Sequence, residues 1–293
     1  MDAAVWLSEK FRVPKFIIGA TIVSLATTLP ELIVSVIATV GGKYEMAAGN
    51  AIGSIVANIG LILAISITVM PAEAKKSGLL LKSILLIGAT AVTFLFSLGG
   101  RLSYVPAAIL LVIWLVFMTT NLLEGKRAEE NMPSLHEPVT VKEIIINILK
   151  FGLGTAGLVF GSDLLVDEGS AIASVLGVPE SIIAVTIVAI GTSLPELVTT
   201  VTALCKKQAS LSVGNILGAN IMDIAFIMPI CALISGGLTI KTQTLMLDLP
   251  TCAILAATAF LIPALRKKYS RLIGIALLVM YVAYLSLLII LFR

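Results

Sequence analysis

The chain has 293 residues, 58% of them hydrophobic and 13% charged, with a mean hydropathy of +1.09. These values exclude a soluble globular domain and place the chain among polytopic membrane proteins, where the net charge of +3 tells less than where the charges fall. Cys205, Cys231 and Cys252 lie in or beside apolar stretches without CxxC spacing, which supports neither a disulfide framework nor a zinc site.

In chain order, apolar runs of about 20 residues, the length of a membrane-crossing helix, fall near 16 to 40, 46 to 70, 79 to 98, 104 to 123, 144 to 166, 180 to 204, 210 to 235, 245 to 265 and 271 to 292. Nine spans put all but four of the 20 Lys and Arg on one side, leaving Lys43, Arg101, Lys241 and Arg293 on the other. Because basic residues stay in the cytoplasm, the amino terminus is expected there and the carboxyl terminus outside. The apolar run Ala3 to Leu7 is too short for a signal peptide. The longest polar stretch, 124–143, reads as a cytoplasmic linker between a first half, 1–123, and a second half, 144–293. It carries charges of both signs and the lone His136, all read as solvated.

Within the first and sixth spans one phrase is written twice, Thr27-Thr28-Leu29-Pro30-Glu31-Leu32 and Thr192-Ser193-Leu194-Pro195-Glu196-Leu197. A carboxylate at that depth costs roughly 2.5–3.5 kcal/mol by insertion scales and normally has a partner. The copies stand 165 positions apart (31 to 196), and the same offset relates Asn50 to Asn215 and Asn58 to Asp223. Five steps along the chain separate equivalent spans, an odd number, so the copies run in opposite directions. That is an inverted-topology repeat, the arrangement in which secondary transporters place a midplane site. The same offset sets Val166–Ser170 against Met1–Val5, so the span at 144 to 166 lacks a counterpart. A five-plus-five parent is expected, with the first helix either lost or upstream of the given start.

Pro30 and Pro195 have no N–H for the carbonyls of Ala26 and Gly191, so both helices should kink or open there. Thr27 and Thr28 lie four and three positions before Glu31, and Thr192 and Ser193 repeat this before Glu196, so hydroxyls and carboxylate project from nearby faces. Oxygen ligands without His or Cys suit hard cations such as Ca²⁺ and Na⁺. A plainer reading has the threonines bonding back to their own helix and the glutamates snorkelling to an interface. It serves for one copy but poorly for both, because the following helices are polar too. Those helices carry Gly49-Asn50-Ala51-Ile52-Gly53-Ser54 with Asn58, and Gly214-Asn215-Ile216-Leu217-Gly218-Ala219 with Asp223. Close helix packing explains the glycines. Asn50, Ser54 and Asn58, like Asn215 and Asp223, share one face and read as completing the site.

This pair of phrases closely resembles the two alpha repeats of the Ca²⁺/cation antiporter superfamily, best its sodium/calcium exchanger branch, prokaryotic type. The resemblance implies an all-α polytopic membrane protein of ten helices, nine of them present here. It implies Glu31 and Glu196 as principal ligands, with hydroxyls from Thr27, Thr28, Thr192, Ser193 and Ser54, backbone carbonyls from Ser24 and Ala189, and Asn58 and Asp223 flanking the centre. It implies exchange of several Na⁺ for one Ca²⁺ by alternating access, with the first and sixth helices sliding against the core. On this reading the protein is not an enzyme and needs no cofactor. Its partners are the transported Ca²⁺ and Na⁺ and the bilayer, with no nucleic acid and no obligate protein partner. Short loops point to a prokaryotic plasma membrane. Two departures stand out: Ala219 replaces a common serine, and Ala26 replaces the glycine kept at Gly191. Ca²⁺/H⁺ or other divalent cation exchange, and an inactive truncated homologue, stay open as alternatives. A channel and an intramembrane aspartyl protease fit less well, the latter because only Asp223 reads as a buried aspartate.

Overall fold

Hydrocarbon offers no hydrogen bonds, so a chain within it must pair its own backbone, and helices do this along their length. The computed structural model describes residues 1–71, 78–130, 140–175 and 189–292, and is helical apart from one short ribbon. The helices are α1 Asp2–Lys10, α2 Lys15–Thr27, α3 Leu29–Val40, α4 Tyr44–Val69, α5 Leu79–Phe96, α6 Tyr104–Glu130, α7 Val141–Val175, α8 Ala189–Thr192, α9 Leu194–Cys205, α10 Ala209–Ser235, α11 Thr244–Arg266 and α12 Arg271–Phe292. Among the described residues seven of these are long and apolar enough to cross a membrane, namely α4 to α7 and α10 to α12. The α2–α3 pair, bent by 43°, makes an eighth. The expected span at 180 to 204 is represented by α8 and α9, and 180–188 lie outside the described residues. Helix α1 has nine residues, roughly 13 Å at 1.5 Å per residue, less than half a hydrocarbon core.

Helix enters the stretch 124–143 from both sides. Helix α6 continues through 124–130, where Glu, Lys, Arg and Ala favour helix, and Glu124 is tied 2.7 Å from Lys82. Helix α7 begins at Val141 behind a capping box, in which Thr140 N donates to Glu143 Oε2 at 3.1 Å and Glu143 N to Thr140 Oγ1 at 3.3 Å. His136 and the rest of 131–139 lie outside the described residues.

Equivalent elements begin 165 positions apart: α4 at Tyr44 and α10 at Ala209, α5 at Leu79 and α11 at Thr244. The turns after α3 and α9 share their hydrogen bonds, Lys43 N to Ala38 O at 2.8 Å and Gln208 N to Ala203 O at 2.7 Å. Both need a left-handed residue. Gly42 takes φ +75 freely, whereas Lys207 takes +57 at a cost of about 1–2 kcal/mol.

Helices α4 and α10 form the centre, with 72% and 83% of their apolar stretches buried against 22% for α12. Helix α2 lies directly on α10. A Cβ at Gly214 would overlap the Phe16 carbonyl, one at Gly218 the Ala20 carbonyl and Ser24 Oγ, and one at Gly19 would come 2.9 Å from Asn215 N. The small residues thus serve packing, as expected, in the second copy. Among the described residues nothing lies within 4 Å of a Cβ at Gly49 or Gly53.

Both central helices widen midway into a π-helical turn, Asn58–Leu63 in α4 and Asp223–Ile227 in α10. An aromatic side chain braces each. Trp114 of α6 stacks on Phe226 with ring centroids 4.6 Å apart, and Tyr281 of α12 fills the space over Gly60. The halves are also joined by the antiparallel ribbon of β1 Arg101–Leu102 and β2 Leu238–Thr239, where Arg101 Nη2 donates to Gly236 O at 2.8 Å.

Candidate functional site

The site lies where the broken helices meet the middles of α4 and α10. Thr28 (φ −87, ψ 0) and Ser193 (φ −89, ψ 7) interrupt the helices in equivalent places, each followed by a proline in the second position of the next helix. Glu31 and Glu196 therefore sit in the first turns of α3 and α9, where free N–H groups and the positive end of the helix dipole face a carboxylate. The kink expected from Pro30 is present.

Ser24, Thr27, Thr28, Glu31, Ser54, Asn58, Thr192, Ser193, Glu196 and Asp223 are all buried, none more than 6% exposed. Ala189 opens α8. The snorkelling alternative fails, since both glutamates are 0% exposed. The back-bonding alternative holds in part: Thr27 Oγ1 lies 3.3 Å from the Ser24 carbonyl. That carbonyl also accepts the Thr28 N–H at 2.9 Å, so it remains engaged in the helix rather than freed by the break.

The two copies interlock. Thr28 Oγ1 of the first donates to Glu196 Oε1 of the second at 3.3 Å, and Thr27 Oγ1 donates to Asn215 Oδ1 at 3.3 Å. Asn50 Nδ2 donates to Ser35 Oγ at 3.0 Å and to the Glu31 carbonyl at 3.4 Å, while Asn215 Nδ2 donates to Thr199 Oγ1 at 3.0 Å. The amide N–H groups of both asparagines are thus turned into the protein scaffold.

Several buried atoms have no hydrogen-bond partner among the described residues: both carboxylate oxygens of Glu31 and of Asp223, Glu196 Oε2, Ser54 Oγ, Ser193 Oγ, and the amide atoms of Asn58 and Asn220. A buried polar atom left unpaired costs about 1–3 kcal/mol, and a carboxylate more. Glu31, Glu196 and Asp223 also lie near enough to one another that their charged forms would repel. A cation in their midst would answer both penalties. Among the described residues no three His, Cys, Asp or Glu side chains are set to hold a metal ion by themselves. Hydroxyl, amide and carbonyl oxygens would have to complete a coordination shell.

Three features escaped the sequence reading. Asn220 and Thr199 are buried beside the site, one helical turn from Asp223 and Glu196, and their spacing could have found them. The π turns carry no local sequence mark. Asp248 is buried as well, 4% exposed, so Asp223 is not the sole buried aspartate. It is occupied by Tyr284, which donates to Oδ1 at 3.0 Å.

The profile of the family described as sodium/calcium exchanger protein matches residues 1–123 and 146–290. The inner membrane protein YrbG of Escherichia coli K12 is 32% identical over 243 residues, covering 80% of this chain and 74% of that protein. The putative antiporter CaxA of Alkalimonas amylolytica is 30% identical over 290 residues, 95% of this chain and 89% of that one. The solved structure of the sodium-calcium exchanger NCX_Mj soaked with Na⁺ and Sr²⁺ superposes with a TM-score of 0.82 at 26% identity, covering 99% of this chain and 92% of that one.

Proposed function

The chain belongs to the sodium/calcium exchanger family, and from that premise we propose that it exchanges Na⁺ for Ca²⁺ by alternating access at a midplane site. As a family member it is an integral membrane transporter of the cation/Ca²⁺ antiporter type. In the proposed site Glu31 and Glu196 are the principal ligands. Thr27, Thr28, Thr192, Ser193 and Ser54 add hydroxyls, Ser24 and Ala189 backbone carbonyls, and Asn58 and Asp223 the flanks. The observation that carries this reading is the group of buried, unpartnered oxygens from both copies gathered at the helix breaks.

Two carboxylates balance one Ca²⁺, and several Na⁺ can share the same oxygens with similar total charge. Competition for one set of ligands couples the fluxes, because the empty, charged site is costly to carry through a closed intermediate. The halves 1–123 and 144–293 would then supply one broken helix and one π-turned helix each. The reading includes a cytoplasmic amino terminus, an external carboxyl terminus and a prokaryotic plasma membrane.

Reconstituted vesicles test it. Uptake of radiolabelled Ca²⁺ is expected to follow an outward Na⁺ gradient and to stop when that gradient is collapsed. Uptake that ignores Na⁺ and follows a proton gradient instead would replace sodium coupling with Ca²⁺/H⁺ exchange.

A further inference from the structure

Asn215 stands in a hydrogen-bond chain whose direction can be read from its far end. Thr199 Oγ1 lies 3.0 Å from the Glu196 carbonyl. A carbonyl only accepts, so the single hydroxyl proton of Thr199 is committed there. The Thr199 oxygen must therefore accept from Asn215, which places Nδ2 toward it at 3.0 Å. The other amide atom, Oδ1, then faces Thr27 Oγ1 at 3.3 Å and can only receive its proton. All four residues are buried, none more than 6% exposed. In the first copy Val34 stands at the position of Thr199, and Asn50 instead donates through Nδ2 to Ser35 Oγ at 3.0 Å.

The Thr27 hydroxyl has one proton and two acceptors at 3.3 Å, Asn215 Oδ1 and the Ser24 carbonyl, with the Glu196 carboxylate close by. A cation on Glu196 repels a proton pointed at it, while the lone pairs of Thr27 become useful as ligands. We propose that Asn215 is a positioning residue: it holds the Thr27 proton while a cation is bound, so that a hydroxyl of the first repeat turns its lone pairs to an ion carried by the second. When the cation leaves, the same proton can swing to Glu196. Asn215 thereby acts through Thr27 without touching the ion. This rests on the proposed two-carboxylate site.

A double-mutant cycle on Ca²⁺ binding, measured by calorimetry on the purified full chain in nanodiscs, separates this role from a packing role. Thr27→Val and Asn215→Ala are each expected to weaken Ca²⁺ binding about five- to tenfold, the worth of one or two hydrogen bonds. In the Thr27→Val background, Asn215→Ala should add less than about twofold. Effects that multiply, or an Asn215→Ala chain that binds like wild type, would overturn the inference. Should Asn215→Ala not fold, Thr199→Val keeps the amide but removes the group that directs it, and the same cycle applies with the same two outcomes. A wild-type chain that binds no Ca²⁺ would overturn the site itself, so the two failures read differently.

Discussion

Thr28 Oγ1 lies 3.3 Å from Glu196 Oε1, a bond between residues 168 positions apart that belong to opposite copies of the repeat. One copy thus supplies a carboxylate and the other a hydroxyl that orients it, so neither half forms the site alone. A hydrogen bond to a charged group contributes about 1.5–3 kcal/mol, which corresponds to at least tenfold in affinity. Thr28→Val is therefore expected to raise the Ca²⁺ concentration for half-maximal uptake about tenfold. Glu31→Gln and Glu196→Gln remove the balancing charges and are expected to abolish uptake. Initial rates in vesicles over a Ca²⁺ series check all three, and full transport by either glutamine variant would rule out the two-carboxylate site.

How much of this was legible beforehand differs by feature. The Pro-Glu phrases could be read because proline acts locally, through a missing N–H and a fixed φ, and the break at Thr28 follows directly. The repeat could be read because Glu31, Asn50 and Asn58 recur at one offset. Partners across the interface could not, because Thr27 meets Asn215 over 188 positions and only the stacking of α2 on α10 brings them together. The π turns at Asn58 and Asp223 pack against aromatic side chains from α12 and α6, contacts that no local pattern announces. That helix enters the 124–143 stretch from both sides could not be read from its charges, although Thr140 and Glu143 carry the spacing of a capping box.

The stacking of α2 on α10 is backbone on backbone, so its glycines have little freedom to change. A side chain at Gly214 or Gly218 meets carbonyls of Phe16 or Ala20, which cannot turn away as a flexible side chain can. Gly214→Val and Gly218→Val are expected to destabilise the protein by about 1–3 kcal/mol or more. Gly88→Ala provides the contrast: it lies within α5 with nothing inside 4 Å among the described residues, and should be neutral or slightly stabilising because alanine favours helix. Thermal unfolding in detergent distinguishes them, and equal midpoints for all three would contradict the close approach.

Lys82, 0% exposed, reaches Glu124 at 2.7 Å and lies 4.9 Å from the centre of the Phe16 ring, linking α5, α6 and the start of α2. Breaking one side of a fully buried ion pair costs about 3–5 kcal/mol and less where one partner is 26% exposed, as Glu124 is, whereas replacing both partners by apolar groups can be neutral. The aromatic face offers only about 2 kcal/mol to a desolvated cation and does not replace the carboxylate. Glu124→Gln is thus expected to lower the unfolding midpoint strongly, and Lys82→Met combined with Glu124→Leu to restore most of it. If the double variant is no more stable than Glu124→Gln, the pair is not what holds this corner.

Trp114 stacks on Phe226, which sits three residues after Asp223 in the π turn of α10. The ring packing and the flank of the proposed site are thus parts of one helical turn, so a cation that draws Asp223 inward is expected to move the surface on which Trp114 rests. The chain has two tryptophans, so Trp6→Phe leaves Trp114 as the sole reporter. In that background Ca²⁺ is expected to change the emission of Trp114 with a saturable dependence, and Na⁺ to reverse the change by competition. Glu196→Gln should abolish the response, and Phe226→Leu should diminish it while leaving Ca²⁺ binding measurable by calorimetry. A response that survives in Glu196→Gln would mean that the emission follows something other than occupancy of the site.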